Sequence, residues 1–201
     1  NGRLQKLLTG LLALDKSREL PFTVLACEDK KPFQIQGVEV TVIIDRIDVL
    51  EDGGQILIDY KTGRKPDIKN WADSRITEPQ LPVYAAFSLA QDSQVAAVCF
   101  GMVKTAEHVF YGLSEEAVLP SVKPLNQDRR FSVALFPDWQ SLQAHWKQSL
   151  EAIALEIKAG EAAVRFENEK DLEYCEVAPL LRLPERQLQY ERQLEAGLSH
   201  E

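Results

Sequence analysis

The chain has 201 residues, 45% of them hydrophobic and 27% charged, and a formal net charge of −8. That length supports one globular domain with a real core, and the three widely spaced cysteines, Cys27, Cys99 and Cys175, exclude a disulfide framework. No apolar run reaches the roughly 18 residues of a spanning helix and no signal-peptide pattern opens the chain, so a reducing cytoplasm with no membrane partner is expected. The acidic balance disfavours a simple nucleic-acid binder, but it is uneven. Residues 61–75 carry five Lys or Arg against two Asp, whereas residues 151–201 carry twelve acids against six Lys or Arg.

Arg3 to Leu20 reads as a helix whose stripe of Leu4, Leu7, Leu8, Leu11, Leu12 and Leu14 is expected to pack in the core. The chain enters this helix without an initiating Met and reads as a piece of a longer protein. Pro21 stops the helix. Phe22 to Glu28 and Phe33 to Val38 read as two strands. Val40 to Leu50 and Gln55 to Tyr60 form a hairpin around the turn Glu51-Asp52-Gly53-Gly54. Thr62-Gly63 turns the chain into an irregular basic segment, Arg64 to Ile76.

Glu78 to Gln91 reads as a helix with Pro79 and Pro82 in its tolerant first turn. Val95 to Val103 is a nearly continuous apolar run, as in a central strand covered on both faces, with Cys99 an inert core thiol. His108 to Leu113 reads as a peripheral strand with His108 at an edge. Leu119 to Phe136, which contains Asp128-Arg129-Arg130, reads as a long loop near substrate. Asp138 to Ala159 has apolar residues at three- and four-residue steps, an N-cap in Asp138 and a stop at Gly160; its His145 has no expected partner. Pro184 to Leu198 reads as a polar terminal helix.

The chemistry concentrates in the hairpin. Strand alternation places Asp59 and Lys61 on one face with Tyr60 turned away. Asp45, between Ile43 and Ile47, is expected on the same face of the preceding strand. Asp48 falls on the opposite face, as a partner for Arg46 or a backbone group. Two carboxylates beside an amine on an apolar sheet are costly unless paired or holding a cation. Hard oxygen ligands on a rigid strand suit Mg²⁺ or Mn²⁺, which acidifies water and polarises a phosphoryl oxygen. Schiff-base chemistry at Lys61 is a weaker alternative, opposed by the neighbouring carboxylates.

The string Val42-Ile43-Ile44-Asp45-Arg46-Ile47-Asp48, then Asp59-Tyr60-Lys61-Thr62-Gly63, then Gln80-Leu81-Pro82-Val83-Tyr84 resembles the PD-(D/E)XK nuclease superfamily, and more narrowly its RecB/AddB-type nuclease domain. The resemblance is dense from Val42 to Tyr84 and looser to about Arg182. It implies an α/β fold with a restriction-endonuclease-like core, a central mixed β-sheet flanked by helices, in a single domain over residues 1–201 with a helical tail from about 137. It implies a Mg²⁺- or Mn²⁺-dependent deoxyribonuclease, an exonuclease acting in DNA repair and recombination, with Asp45, Asp59, Lys61, Gln80 and Tyr84 in the catalytic site. Asp45, Asp59 and the Tyr60 carbonyl would hold the metal, with Glu28 a candidate further ligand. The substrate would be single-stranded DNA or a duplex end, met by Arg64, Lys65, Lys69, Trp71 and Arg75. Stacking on bases and anchoring a loop are the two readings of Trp71. The partner would be a helicase-like region of the same parent chain or another subunit.

Two departures bear on this. No histidine precedes Asp45, where such proteins carry an upstream His or Glu ligand. Residues 172–182 resemble an iron–sulfur segment, but Leu172 and Leu181 stand at cysteine positions and only Cys175 remains. A cluster needs about four thiolates, so none is expected. A catalytically weak module that guides DNA or docks a partner in a repair complex is the alternative function.

Overall fold

The computed structural model describes residues 2–88, 93–104, 107–161 and 182–198. The chain divides into two compact units, 1–160 and 161–201. Helix α1 (Gly2–Lys16) leads into strands β1 (Phe22–Ile35), β2 (Val38–Leu50) and β3 (Gln55–Lys61). A 3₁₀ turn (Ile68–Ala72) and helix α2 (Gln80–Val83), continued as a π-helical turn (Tyr84–Ser88), connect to β4 (Val95–Lys104) and β5 (Glu107–Ser114). A two-residue β6 (Lys123–Pro124), a 3₁₀ turn (Leu125–Gln127) and α3 (Trp139–Ala159) complete the first unit. In the second unit, α4 spans Leu183–Leu198, the terminal helix the sequence predicts. Among the described residues no helix is long and apolar enough to cross a membrane.

The fold is α/β, built on a six-stranded sheet in the order β1-β2-β3-β4-β5-β6. It is mixed: β3 and β4 run parallel, as do β5 and β6, while the remaining pairs are antiparallel. Gly53, at φ +89°, closes the β2–β3 turn, and the Gly54 amide donates to Asp52 Oδ1 at 2.9 Å. β4 carries the run that reads as a central strand and is buried from Val95 to Met102. Burial pushes the Cys99 thiol well above its ordinary range, as befits an inert core residue.

Apolar side chains cover both faces. Leu57, Ile47, Val98 and Phe100 on one face meet Leu81 of α2 and Trp139, Leu142 and Trp146 of α3. Ile56, Ile58, Cys99 and Phe110 on the other meet Leu14 of α1. α3 is held at both ends: Asp138 and Ser141 form a capping box, and Gly160 closes the helix at φ +70°. Its indoles add polar anchors, since Trp139 Nε1 donates to the Val95 carbonyl at 2.6 Å and Trp146 Nε1 to that of Trp71 at 3.0 Å.

Several elements differ from expectation. Phe22 to Ile35 is one long strand, and Gln36-Gly37, both at positive φ, form its two-residue hairpin turn. α1 does not bury its whole leucine stripe. Leu7, Leu11 and Leu14 are half-buried, whereas Leu4, Leu8 and Leu12 are 60%, 52% and 60% exposed, because the sheet covers only one side of the helix. Residues 119–136 are not a loose loop, since Leu119, Val122, Leu125, Phe131 and Phe136 are buried. His145 has a partner after all, with Nε2 lying 3.0 Å from the Asp73 carbonyl.

Candidate active site

β2 and β3 pair antiparallel up to Arg46 opposite Ile58, and Asp45 and Asp59 follow just beyond that last pair, close enough for the Asp45 charge to act on Asp59. Asp45 Oδ2 accepts a hydrogen bond from the Tyr60 amide at 2.8 Å, which ties its carboxylate to the β3 backbone. Asp59 is 2% exposed. On the same face, Lys61 Nζ lies 2.8 Å from Asp59 Oδ2. The alternation expected for Asp45 does not run evenly along β2: Ile44 joins the core, and Ile43 is exposed. Pairing to β3 stops at Arg46, and beyond it β2 continues with β1 as a two-stranded ribbon, where twist is larger.

Gln80 ties the group together. Its Nε2 donates to Asp59 Oδ1 at 2.5 Å and to Tyr84 Oη at 2.8 Å, and its Oε1 accepts from Lys61 Nζ at 2.8 Å. Tyr84 donates in turn to the Ile43 carbonyl at 2.7 Å. The network fixes the orientation of the amide, because its carbonyl meets the amine and its NH₂ meets two acceptors. The helix carrying these residues starts at Gln80, two residues later than expected, and widens into a π turn at Tyr84–Ser88; residues 89–92, where its expected end falls, lie outside the described residues. Such bulges in helices recur at functional sites.

The electrostatics are those of a site built for positive charge. Burial raises the Asp59 carboxyl above its ordinary range, Lys61 pulls it down, and the Asp45 charge pushes it up again. Burial likewise raises the Tyr84 phenol. Asp59 Oδ2 is buried and meets the Lys61 amine as an ion pair at 2.8 Å, which occupies one of that oxygen's two lone-pair directions. A lone pair on a buried carboxylate therefore remains for another cation.

The opposite face carries a separate charged cluster. Arg46 bonds Asp48 through Nε at 2.6 Å and Nη2 at 3.0 Å, as the alternation predicts. Arg46 Nη1 also donates to Asp15 Oδ2 at 2.7 Å and to Tyr60 Oη at 3.0 Å. Arg18 Nη1 donates to Asp48 Oδ2 at 2.5 Å, with its guanidinium 3.4 Å from the Phe22 ring centroid. The sequence reading missed Arg18 and Asp15; nothing local marks them, since they meet Asp48 only through tertiary contact.

The remaining candidates separate. Glu28 lies on β1 between Cys27 and Asp29, which pair with Arg46 and Ile44, so its backbone stands beside Asp45. It is exposed, with φ at +49°, a strained conformation for a residue with a Cβ. No group of three or more His, Cys, Asp or Glu suited to a metal occurs among the described residues. Of the two readings of Trp71, stacking on bases and anchoring, its burial supports the anchor and leaves no exposed face for a base. It is 0% exposed, donates from Nε1 to the Glu78 carbonyl at 2.9 Å, and packs on Phe100 and Trp146. Arg75 is drawn to Glu156 of α3 at 2.5 Å. Arg64, Lys65 and Lys69 are exposed. Cys175 and most of the cysteine-depleted segment lie outside the described residues.

Residues 1–180 match the PD-(D/E)XK nuclease superfamily. The chain belongs to that superfamily. No curated protein matches it. The six-stranded mixed sheet with flanking helices is the restriction-endonuclease-like core of PD-(D/E)XK proteins, and membership implies a metal-dependent nuclease with DNA as its substrate. The donors fit a hard divalent ion: two neighbouring carboxylates, one with a buried oxygen that carries no neutral hydrogen-bond donor, leave the other coordination positions to water or substrate.

Proposed function

We propose that Asp45, Asp59 and Lys61 form the hydrolytic centre of a Mg²⁺- or Mn²⁺-dependent deoxyribonuclease of RecB/AddB type. It would be an exonuclease working in DNA repair and recombination beside a helicase-like region. The observation that carries the reading is the bridge made by Gln80, whose one amide meets Asp59, Lys61 and Tyr84 together. A surface ion pair needs no such scaffold; a water-positioning amine does.

In this reading the Asp45 and Asp59 carboxylates and the Tyr60 carbonyl hold the ion, which supplies Lewis acidity toward a phosphoryl oxygen. Lys61 positions the attacking water and neutralises charge that develops on the phosphoryl group. Gln80 holds the Lys61 amine in place, and Tyr84 locks Gln80 against β2 through the Ile43 carbonyl. Glu28, on the strand beside Asp45, is a candidate further ligand once an ion is bound.

The test is cleavage of end-labelled DNA with and without Mn²⁺ by wild type, Lys61→Ala and Asp59→Ala. Calorimetric Mn²⁺ titration and circular dichroism accompany it. Metal-dependent cleavage is expected in wild type alone, with all three proteins folded. Equal cleavage by the three, or no Mn²⁺ bound to wild type, refutes the reading.

A further inference from the structure

Asp59 on β3, Phe100 on β4 and Tyr111 on β5 are direct partners across three adjacent strands, so they share one face of the sheet. Cationic groups stand over that row. Lys61 Nζ is 5.8 Å from the Phe100 ring centroid. Lys65 Nζ, from the loop that follows β3, is 3.6 Å from the Tyr111 ring centroid. Arg130 Nη1 donates to Tyr111 Oη at 2.5 Å, with its guanidinium carbon 5.3 Å from the same ring centroid. The two aromatic rings thus hold three cations in a line that starts at the site and runs toward the β6 edge. At about 4.8 Å per strand, Tyr111 lies roughly 10 Å from Asp59 across the sheet.

The line is only partly neutralised: Lys61 pairs with Asp59 and Arg130 with Asp128, which leaves Lys65 without a carboxylate partner among the described residues. Arg130 is bound by Asp128 through both of that carboxylate's oxygens, which holds Asp128 below its ordinary range, with Lys123 adding to the effect. Asp128 is 5% exposed and fully engaged, so it serves to aim Arg130. Lys65 and Lys123 are exposed and make no ion pair among the described residues. Exposed cations without a carboxylate partner attract an anion laid over them. Half-buried Tyr111, with Lys65 on its ring, presents no open platform for a base. The chemistry is that of phosphate positioning rather than base reading.

We propose that Lys65 and Arg130, braced by Tyr111, form a phosphate-binding subsite for the strand whose scissile bond lies at Asp59 and Lys61. The subsite engages the phosphodiester backbone away from the scissile bond, about 10 Å across the sheet. It gives the residues 128–130 a role and fixes the direction of the strand's path, across β4 and β5. The inference rests on the nuclease reading but fails separately from it.

The experiment compares wild type, Lys65→Gln and the paired change Asp128→Asn with Arg130→Gln. The paired change avoids stranding a buried carboxylate, and Lys65→Gln alters an exposed side chain, so one variant remains informative if the other does not fold. The probes are a long fluorescent single-stranded oligodeoxynucleotide and a dinucleotide too short to reach Tyr111. Each variant should bind the long probe about 10-fold more weakly, with the slope of log K against log salt reduced by about 0.7 for each phosphate no longer neutralised. Affinity for the dinucleotide should change by less than about 2-fold, and the saturating rate on the long probe should fall by less than its affinity does. Unaltered affinity and salt slope in a wild-type-active protein overturn the subsite and leave the nuclease reading intact. A fall in saturating rate with unchanged affinity also overturns it. A wild type that neither binds nor cleaves overturns both.

Discussion

Asp48→Ala should destabilise the first unit severely while sparing the chemistry of each folded molecule. Asp48 is 0% exposed and accepts from Arg18 Nη1, Arg46 Nε and Arg46 Nη2 at 2.5, 2.6 and 3.0 Å. Truncation strands two guanidiniums. Arg46 keeps Asp15 and Tyr60, but Arg18, whose side chain is 0% exposed, already has Nε and Nη2 unbonded and would retain only Asp15 at 3.9 Å. Removing one partner of a buried ion pair costs about 3–5 kcal/mol. At roughly 2–4 °C per kcal/mol for a chain of this size, the unfolding midpoint should drop by about 6–20 °C. Urea unfolding should show a lower midpoint with an unchanged m value. The double variant Arg18→Met with Asp48→Met should lose less than the sum of the two single changes, because it removes the stranded charge together with its partner. A loss below about 1 kcal/mol for Asp48→Ala would show that water reaches Arg18 and that the cluster is not buried as described.

Gln80→Ala should leave the fold intact and lower the saturating DNA-cleavage rate by about 100-fold, since Lys61 loses the acceptor that fixes it; an unchanged rate would remove the scaffold from the mechanism. Gly101→Ala should cost about 1–3 kcal/mol in urea unfolding, because its Cβ would meet the Tyr60 ring at 2.5 and 2.7 Å. Gly112→Ala should cost more, its Cβ falling 2.0 Å from the Val98 carbonyl oxygen, a backbone atom that cannot swing aside. Asp59 contributes a pH dependence of defined sign. Its folded pKa lies above the ordinary 3.8, so in the window between them the unfolded chain binds fewer protons, and metal-free stability should fall as pH rises. Denaturation of wild type and Asp59→Asn across acidic pH checks this: a stability difference independent of pH would contradict the burial that raises the carboxyl.

The readings that held rest on short-range order. Alternation in Gln55–Lys61 put Asp59 and Lys61 together and Tyr60 away, whereas along β2 the period of two breaks at Ile43 and Ile44 and does not by itself place Asp45. The α3 boundaries were visible in Asp138 and Gly160 because caps are local chemistry. Open or mistaken readings fall where a second element decides. Trp71 admits both a stacking and an anchoring reading among lysines and arginines, and α3, some 75 residues later, decides for the anchor. The leucine stripe of α1 looks like core, yet the sheet is wide enough to cover only part of it. The Gln36-Gly37 turn was legible in principle, since a Gly between two β-branched runs marks a two-residue hairpin.

From residue order alone follow the central strands, the β2–β3 hairpin, the shared face of Asp59 and Lys61, and the superfamily those residues mark. Tertiary packing decided that the Gln80 amide closes on Asp59 and Lys61, that Arg18 reaches Asp48 across thirty residues, and that Lys65 and Arg130 converge on Tyr111. The physical reason is range: a backbone period repeats within a few residues, whereas a side-chain partner is chosen by whichever distant surface is brought within hydrogen-bonding distance.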